Sequence, residues 1–228
     1  MRRHFFITGT DTGVGKTVVA ALLVSHLRSQ GFSVGAFKPV CSGGRGDAKL
    51  LRVALDGALT LDEINPWHFP KPIAPLLAAR AEKQSVRLAD VMAHARRLQK
   101  AFPLLIVEGA GGLLSPLGVD FDSLELLRAL RAAPVVVASD RLGAINQVLL
   151  VLRALPARLA RNAQIVLVAP KKSGSARIGN FEALQEKFPG RVHCLPWLTE
   201  AQRQPFPPVA PAVKRVLSAL TEGLHLPG

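Results

Sequence analysis

A chain of 228 residues that is 49% hydrophobic, 20% charged and 5% aromatic carries enough aliphatic mass for a full core, which excludes a disordered or collagen-like protein and predicts one domain over 1–228. Its 29 lysines and arginines against 16 acidic residues leave a net charge of +13, but the cations are scattered and no tyrosine is present; a solvated basic surface that draws in anionic metabolites is expected, with polynucleotide affinity as the alternative. Apolar runs such as residues 18–24 fall far short of the roughly 18 residues needed to span a bilayer, and residues 5–7 are too short for a secretory signal. A cytoplasmic protein with no membrane passage is therefore expected, and Cys41 and Cys194, which lack any metal-binding spacing, agree with a reducing compartment.

In chain order, residues 4–7 predict a strand, residues 8–15 a glycine-broken turn and residues 16–28 a helix that Gly31 ends. A second strand is expected over 33–37, then a loop through Pro39 and Gly43-Gly44-Arg45-Gly46. Leu88, Val91, Met92, Ala95 and Leu98 recur at helical spacing and predict an amphipathic helix over 86–100. The runs 104–107, 135–137 and 165–168 are uninterruptedly apolar, which fits strands buried on both faces of a parallel sheet. Helices are expected between and beyond them over 123–131, 144–155 and 181–187. Strands alternating with helices predict an α/β fold, a mostly parallel doubly wound sheet flanked by helices. Four prolines in residues 202–211 predict an extended loop before a final helix over 213–222.

The strongest chemical signal is Gly9-Thr10-Asp11-Thr12-Gly13-Val14-Gly15-Lys16-Thr17, between the first strand and the first helix. Backbone N–H groups there and the helix N-terminus suit phosphate oxygens, a lysine at 16 reaches the β and γ phosphates, and the Thr17 hydroxyl suits Mg²⁺. The competing reading is a glycine-rich turn without nucleotide. The spacing is irregular, because Thr10 stands where the pattern has its first glycine and Gly9 comes one step earlier. Asp11 occupies the place of the second lysine of partition-type ATPases, and no Asn-Lys-x-Asp base-reading motif of GTPases occurs; its nearest analogue is Ala169-Pro170-Lys171-Lys172.

Glu108-Gly109-Ala110-Gly111-Gly112 follows a buried strand, so Glu108 stands at a carboxyl edge where open α/β sheets bind ligands, unless it serves only a structural salt bridge. Asp47 either adds a carboxylate or caps a helix over 48–54. With Thr17 these make a hard oxygen set suited to Mg²⁺. Lys38 leaves the second strand in Lys38-Pro39-Val40-Cys41-Ser42-Gly43, facing the same crevice or standing as a solvated loop lysine.

Together with Asp47-Ala48, Asn65-Pro66, Val107-Glu108-Gly109-Ala110-Gly111-Gly112, Leu142-Gly143-x-Ile145-Asn146 and Pro196-Trp197-Leu198, these motifs resemble the dethiobiotin synthetases over residue 5 to about 198. The resemblance implies ATP- and Mg²⁺-dependent closure of a cyclic urea: 7,8-diaminononanoate and CO₂ give dethiobiotin, ADP and phosphate through a carbamate and a carbamic–phosphoric anhydride. It implies that Lys16 and Lys38 neutralise phosphoryl and carbamate oxygens, that Thr17, Asp47 and Glu108 hold Mg²⁺, and that Thr12 and Ser42 position the diamine or carbamate. It assigns Gly13, Val14, Gly15, Lys16, Thr17, Glu108, Gly111, Pro170, Pro196, Trp197 and Leu198 to the nucleotide, and it implies a homodimer with substrate near the subunit interface. Two departures stand out. Pro170 replaces the asparagine that reads adenine in the family, and Phe181 replaces a tyrosine near the substrate carboxylate, for which Lys171, Lys172 or Arg177 would compensate. Two alternatives remain: a cobyrinate-type amide synthetase, for whose glutaminase domain 228 residues leave no room, and a regulatory ATPase using its basic surface on nucleic acid.

Overall fold

The computed structural model describes residues 4–170, 179–199 and 210–222. The elements run β1 (His4–Gly9), α1 (Lys16–Ser29), β2 (Val34–Phe37), β3 (Val40–Ser42), α2 (Gly46–Ala54), α3 (Leu61–Ile64), β4 (Trp67–Phe69), α4 (Pro75–Ala81), α5 (Leu88–Ala101) and β5 (Leu104–Glu108). They continue through α6 (Ser123–Ala129), β6 (Ala133–Ser139), α7 (Ala144–Ala154), α8 (Ala157–Ala160), β7 (Gln164–Val168), α9 (Asn180–Lys187), β8 (Val192–Leu195) and α10 (Pro211–Thr221). The main sheet has the order β2-β5-β1-β6-β7-β8, with every pairing parallel. β1 is thus flanked by β5 on one side and β6 on the other. The chain crosses from one half of the sheet to the other at this point, where α/β sheets open a crevice at their carboxyl ends.

The uninterrupted apolar runs do form the strands covered on both faces. β5 is buried from end to end, as are Val135–Ala138 of β6, and Phe6, Ile7, Leu105, Ile106 and Val136 have no exposed surface. The register then sets the site. Ile7 pairs with Glu108 and Gly9 with Val137, so the loop after β1 emerges beside the carboxyl ends of both neighbours.

Several expectations shift. The segment after β2 is not simply a loop: Val40–Ser42 pairs in parallel with Trp67–Phe69 as a second small sheet. Gly46 opens α2 with Arg45 at its N-cap, which places Asp47 inside the first turn and removes its reading as a cap. Pro211 does not close a proline-rich loop; it is the first residue of α10, where its missing N–H costs nothing and its fixed φ suits the helix. Residues 202–209 and Lys171, Lys172 and Arg177 lie outside the described residues. Among the described residues no helix is long and apolar enough to cross a membrane.

Candidate active site

In the loop from β1 to α1, a Cβ at residue 9 would come within 2.8 Å of Val14 Cγ2 and 3.1 Å of Lys16 Cδ, so a side chain there would force these neighbours to shift. Gly15 adopts a left-handed φ of 100° as the N-cap of α1, a conformation open to glycine at little cost, and a Cβ there would sit 3.2 Å from Val168 Cγ2. The loop is therefore wedged against the end of β7, and Lys16 starts the helix. Lys16 is only 6% exposed, and its Nζ donates to the Asp11 carbonyl at 2.6 Å. Burial pulls its ammonium below the ordinary lysine pKa, the Lys38 charge adds to that, and the carboxylates of Glu108, Asp47 and Asp11 oppose it. Asp11 thus meets Lys16 through its backbone, while its carboxylate accepts from Thr12 N at 2.7 Å.

Lys38, the residue after β2, is no solvated loop lysine. Its side chain is 3% exposed, and its Nζ lies 2.7 Å from Glu108 Oε1 and 2.9 Å from Asp47 Oδ2. Burial works against this ammonium, but the two carboxylates outweigh it and hold its pKa above the ordinary lysine value. Glu108 Oε1 also accepts the Thr17 hydroxyl at 2.8 Å, so the last residue of β5, the second residue of α1 and the residue after β2 converge on one oxygen. Glu108 Oε2 is buried and has no hydrogen-bond partner among the described residues. For Asp47 burial raises the pKa, but Lys38 and the Thr17 hydroxyl prevail and hold it below the usual carboxylate range. Glu108 is hence both a salt-bridge partner and a residue at the ligand edge, two readings that the sequence sets apart.

A cleft of about 1450 Å³ opens over this network. It gathers Thr12, Gly13, Gly15, Lys16, Thr17, Lys38, Ser42, Asp47, Glu108, Gly111 and Trp197 of the residues expected at the site. Val14, Pro170, Pro196 and Leu198 do not line it: Val14 and Leu198 are buried in the core, and Pro170 is exposed just beyond β7. The wall formed by Pro72, Ile73, Ala74 and Pro75, and the pair Ser115 and Pro116, were not anticipated. Phe181 lies in α9, packed against the core rather than along the cleft. The donor set fits magnesium chemically: two carboxylates and a hydroxyl supply hard oxygens, one of them the unpartnered Glu108 Oε2, and Mg²⁺ takes few protein ligands. Among the described residues no group of three or more His, Cys, Asp and Glu side chains gathers for a metal.

A family model described as an AAA domain matches residues 3–204. The ATP-dependent dethiobiotin synthetase BioD of Bacillus velezensis is 42% identical over 149 residues, and the chain spans 64% of that relative's length while 63% of the chain is covered. The enzyme of the same name from Anaeromyxobacter dehalogenans strain 2CP-C is 39% identical over 208 residues, covering 89% of this chain and 93% of the relative. Among solved structures, the MinD cell division protein of Aquifex aeolicus matches with a TM-score of 0.58 at 13% identity over 99% of both chains. A ParA family ATPase from Chlorobium tepidum matches with a TM-score of 0.55 at 14% identity, over 95% of this chain and 96% of its own. These structural matches speak to the fold alone.

Proposed function

Because the chain belongs to the dethiobiotin synthetase family, we propose that it closes a cyclic urea from 7,8-diaminononanoate and CO₂ at the expense of ATP, giving dethiobiotin, ADP and phosphate. One amine traps CO₂ as a carbamate, a carbamate oxygen takes the γ-phosphoryl group, and the second amine attacks the resulting anhydride and expels phosphate. Little covalent chemistry falls to the protein in such a sequence; its task is to hold the groups in line and to stabilise charge on the phosphoryl and carbamate oxygens.

The residues divide that task by position. The backbone N–H groups of the loop from Gly13 to Thr17 and the N-terminus of α1 receive the phosphates. Lys16 would approach them from the loop and Lys38 from the end of β2, two buried ammonium groups that line the same cleft. Thr12 and Ser42, which line the same cleft, would orient the diamine or its carbamate. Thr17, Asp47 and Glu108 would hold Mg²⁺, which when bound neutralises phosphoryl oxygens. The chain 1–228 is taken to act as one nucleotide-binding unit and to pair as a homodimer, a reading supported by Leu142, 84% exposed in the turn before α7, and Leu150, 56% exposed within it.

The observation that carries the proposal is the buried Lys38 ammonium, held by Glu108 and Asp47 in the cleft that Lys16 also lines. In transfer to a carbamate, a second cation in the cleft would meet the carbamate and phosphoryl oxygens on which charge develops. Phosphate release should require 7,8-diaminononanoate and bicarbonate together with MgATP, with dethiobiotin appearing one for one by mass spectrometry. Phosphate release that ignores the diamine and responds to DNA would overturn it in favour of the regulatory ATPase.

A further inference from the structure

Lys38 is held by something other than the sheet it follows. β2 ends its pairing with β5 at Phe37, and Pro39 has no N–H to contribute. The Lys38 N–H instead donates to the Ile64 carbonyl at 2.8 Å, and its carbonyl accepts from Asn65 Nδ2 at 2.9 Å. Both backbone polar groups of the residue are satisfied by the end of α3. Asn65 has no exposed surface, and its amide nitrogen also faces the carbonyls of Pro39 and Trp67 at 3.4 Å each. Three carbonyls around one nitrogen fix which end of the amide points at Lys38.

The same short helix is gripped from the other side by the segment that carries Asp47. Arg45, the N-cap of α2, donates through Nη2 to the carbonyls of Leu61 at 2.9 Å and Asn65 at 2.8 Å, and to the Asp62 carboxylate at 2.8 Å. A helix this short holds its shape because of a capping box, Thr60 with Glu63, and because His94 from α5 bonds the Glu63 carbonyl at 2.7 Å. One small helix therefore spans the backbone of Lys38 and the start of α2, and so the two residues whose side chains meet at 2.9 Å.

We propose that Asn65 is a positioning residue for the reaction: by fixing the Lys38 backbone on α3, which Arg45 ties to α2, it sets where the Lys38 ammonium meets Glu108 and Asp47. A lysine side chain has four rotatable bonds, so its ammonium is placed sharply only if the backbone at its root cannot move. The inference rests on reading the cleft as the catalytic centre, and it concerns how that centre is held rather than what it does.

The test reads the ammonium itself. A buried, doubly paired ammonium exchanges slowly with water, so uniformly ¹⁵N-labelled protein should give ¹⁵Nζ signals for Lys38 and Lys16, each assigned by its loss in Lys38→Arg and Lys16→Arg. Asn65→Asp keeps the volume but replaces the donor with a carboxylate oxygen facing three carbonyls; Asn65→Ala removes both. In each, the Lys38 signal should shift or vanish while the Lys16 signal remains. The kcat of diamine-dependent phosphate release should fall about tenfold to a hundredfold, as expected for a misplaced catalytic group, with the KM for MgATP within about threefold of wild type. An unmoved Lys38 signal in Asn65→Asp, loss of both lysine signals together, or a wild-type spectrum with no Lys38 signal would each overturn the proposal. If neither Asn65 variant folds, Arg45→Ala, at a partly exposed side chain, gives the same reading: a shifted Lys38 signal beside an unmoved Lys16 supports the clamp, and no shift overturns it. Wild-type protein with no diamine-dependent phosphate release would overturn the functional reading instead, and the spectra would still judge the link between Asn65 and Lys38.

Discussion

Lys38 Nζ and Glu108 Oε1 lie 2.7 Å apart with side chains only 3% and 1% exposed, whereas the other partner of the ammonium, Asp47, is 46% exposed. The two carboxylates of the site are therefore unequal in what they hold up. Glu108 neutralises a charge that is almost wholly buried, while Asp47 can fall back on solvent.

Glu108→Gln and Asp47→Asn should accordingly part ways. Both remove a charge from the oxygen set that suits Mg²⁺, so the Mg²⁺ needed for half-maximal rate should climb in each. Glu108→Gln also leaves a buried ammonium short of its main partner, a loss on the order of 3–5 kcal/mol, and its melting temperature should drop by about 10 °C. Asp47→Asn should melt within a few degrees of wild type. Calorimetry beside Mg²⁺ titrations of activity checks this, and equal melting of both variants would contradict the asymmetry.

Lys16→Ala should lower the rate of phosphate release by about 10²–10³, the usual cost of losing one preorganised cation or donor aimed at developing charge. Because Lys16 Nζ also closes the loop through the Asp11 carbonyl, part of the loss should appear as weaker nucleotide binding. Near-wild-type turnover would remove the loop from the chemistry.

Much of this site is legible in the chain before any coordinates. Gly15-Lys16-Thr17 after an apolar strand, and Glu108 at the end of another, are local patterns, and parallel pairing needs only the aliphatic runs that both faces of the sheet bury. What escapes is whatever depends on distant segments meeting. β3 and β4 are three residues each, too short for any periodicity, and exist because Val40 pairs with Trp67. The grip of Asn65 on Lys38 joins residues 27 positions apart and has no local signature, although Thr60 and Glu63 do show the spacing of a capping box. The wall from Pro72 to Pro75 reads as a proline-broken connection, and only the fold reveals that it faces the cleft.

Acid should weaken the fold through its histidines. His94 stacks on Phe37 with ring centroids 5.2 Å apart, and Arg97, which can only donate, bonds its Nδ1 at 2.8 Å, so Nε2 carries the hydrogen given to Glu63 O. Burial lowers the pKa of His94, with the Arg97 charge adding to it and the bond to the Glu63 carbonyl opposing; burial likewise lowers His26 and His193. A histidine whose folded pKa is depressed favours the folded state above its unfolded pKa, about 6.5, and loses that contribution as pH falls from there through the folded value. Urea midpoints should thus drop between pH 7.5 and 5.5, and His94→Gln, which keeps a donor for Glu63, should show a smaller drop. An identical drop would assign the acid sensitivity elsewhere.

The charge of +13 should behave as a diffuse field. Duplex DNA is then expected to bind weakly, to lose affinity steeply with added salt and to leave ATP turnover unchanged. Binding that persists at about 0.2 M salt would demand a built nucleic-acid surface.

Base selectivity should be weak. Adenine differs from the other bases chiefly in its exocyclic amine and the neighbouring ring nitrogen, and a side-chain amide reads both because it accepts and donates. Pro170 offers neither through its side chain, and it lies exposed beyond β7 without lining the cleft. Trp197, from the segment after β8, does line the cleft, but an indole donates one hydrogen bond and otherwise stacks, and stacking tolerates every base. Nucleotide affinity should then come mostly from the triphosphate and its metal, held by groups common to all NTPs. GTP and CTP are expected to support turnover within about tenfold of ATP, a difference of about 1.4 kcal/mol. Measuring kcat/KM for the four NTPs at one Mg²⁺ concentration checks this. A preference for ATP beyond roughly a hundredfold, about 2.7 kcal/mol, would mean that a group other than Pro170 and Trp197 reads the adenine edge.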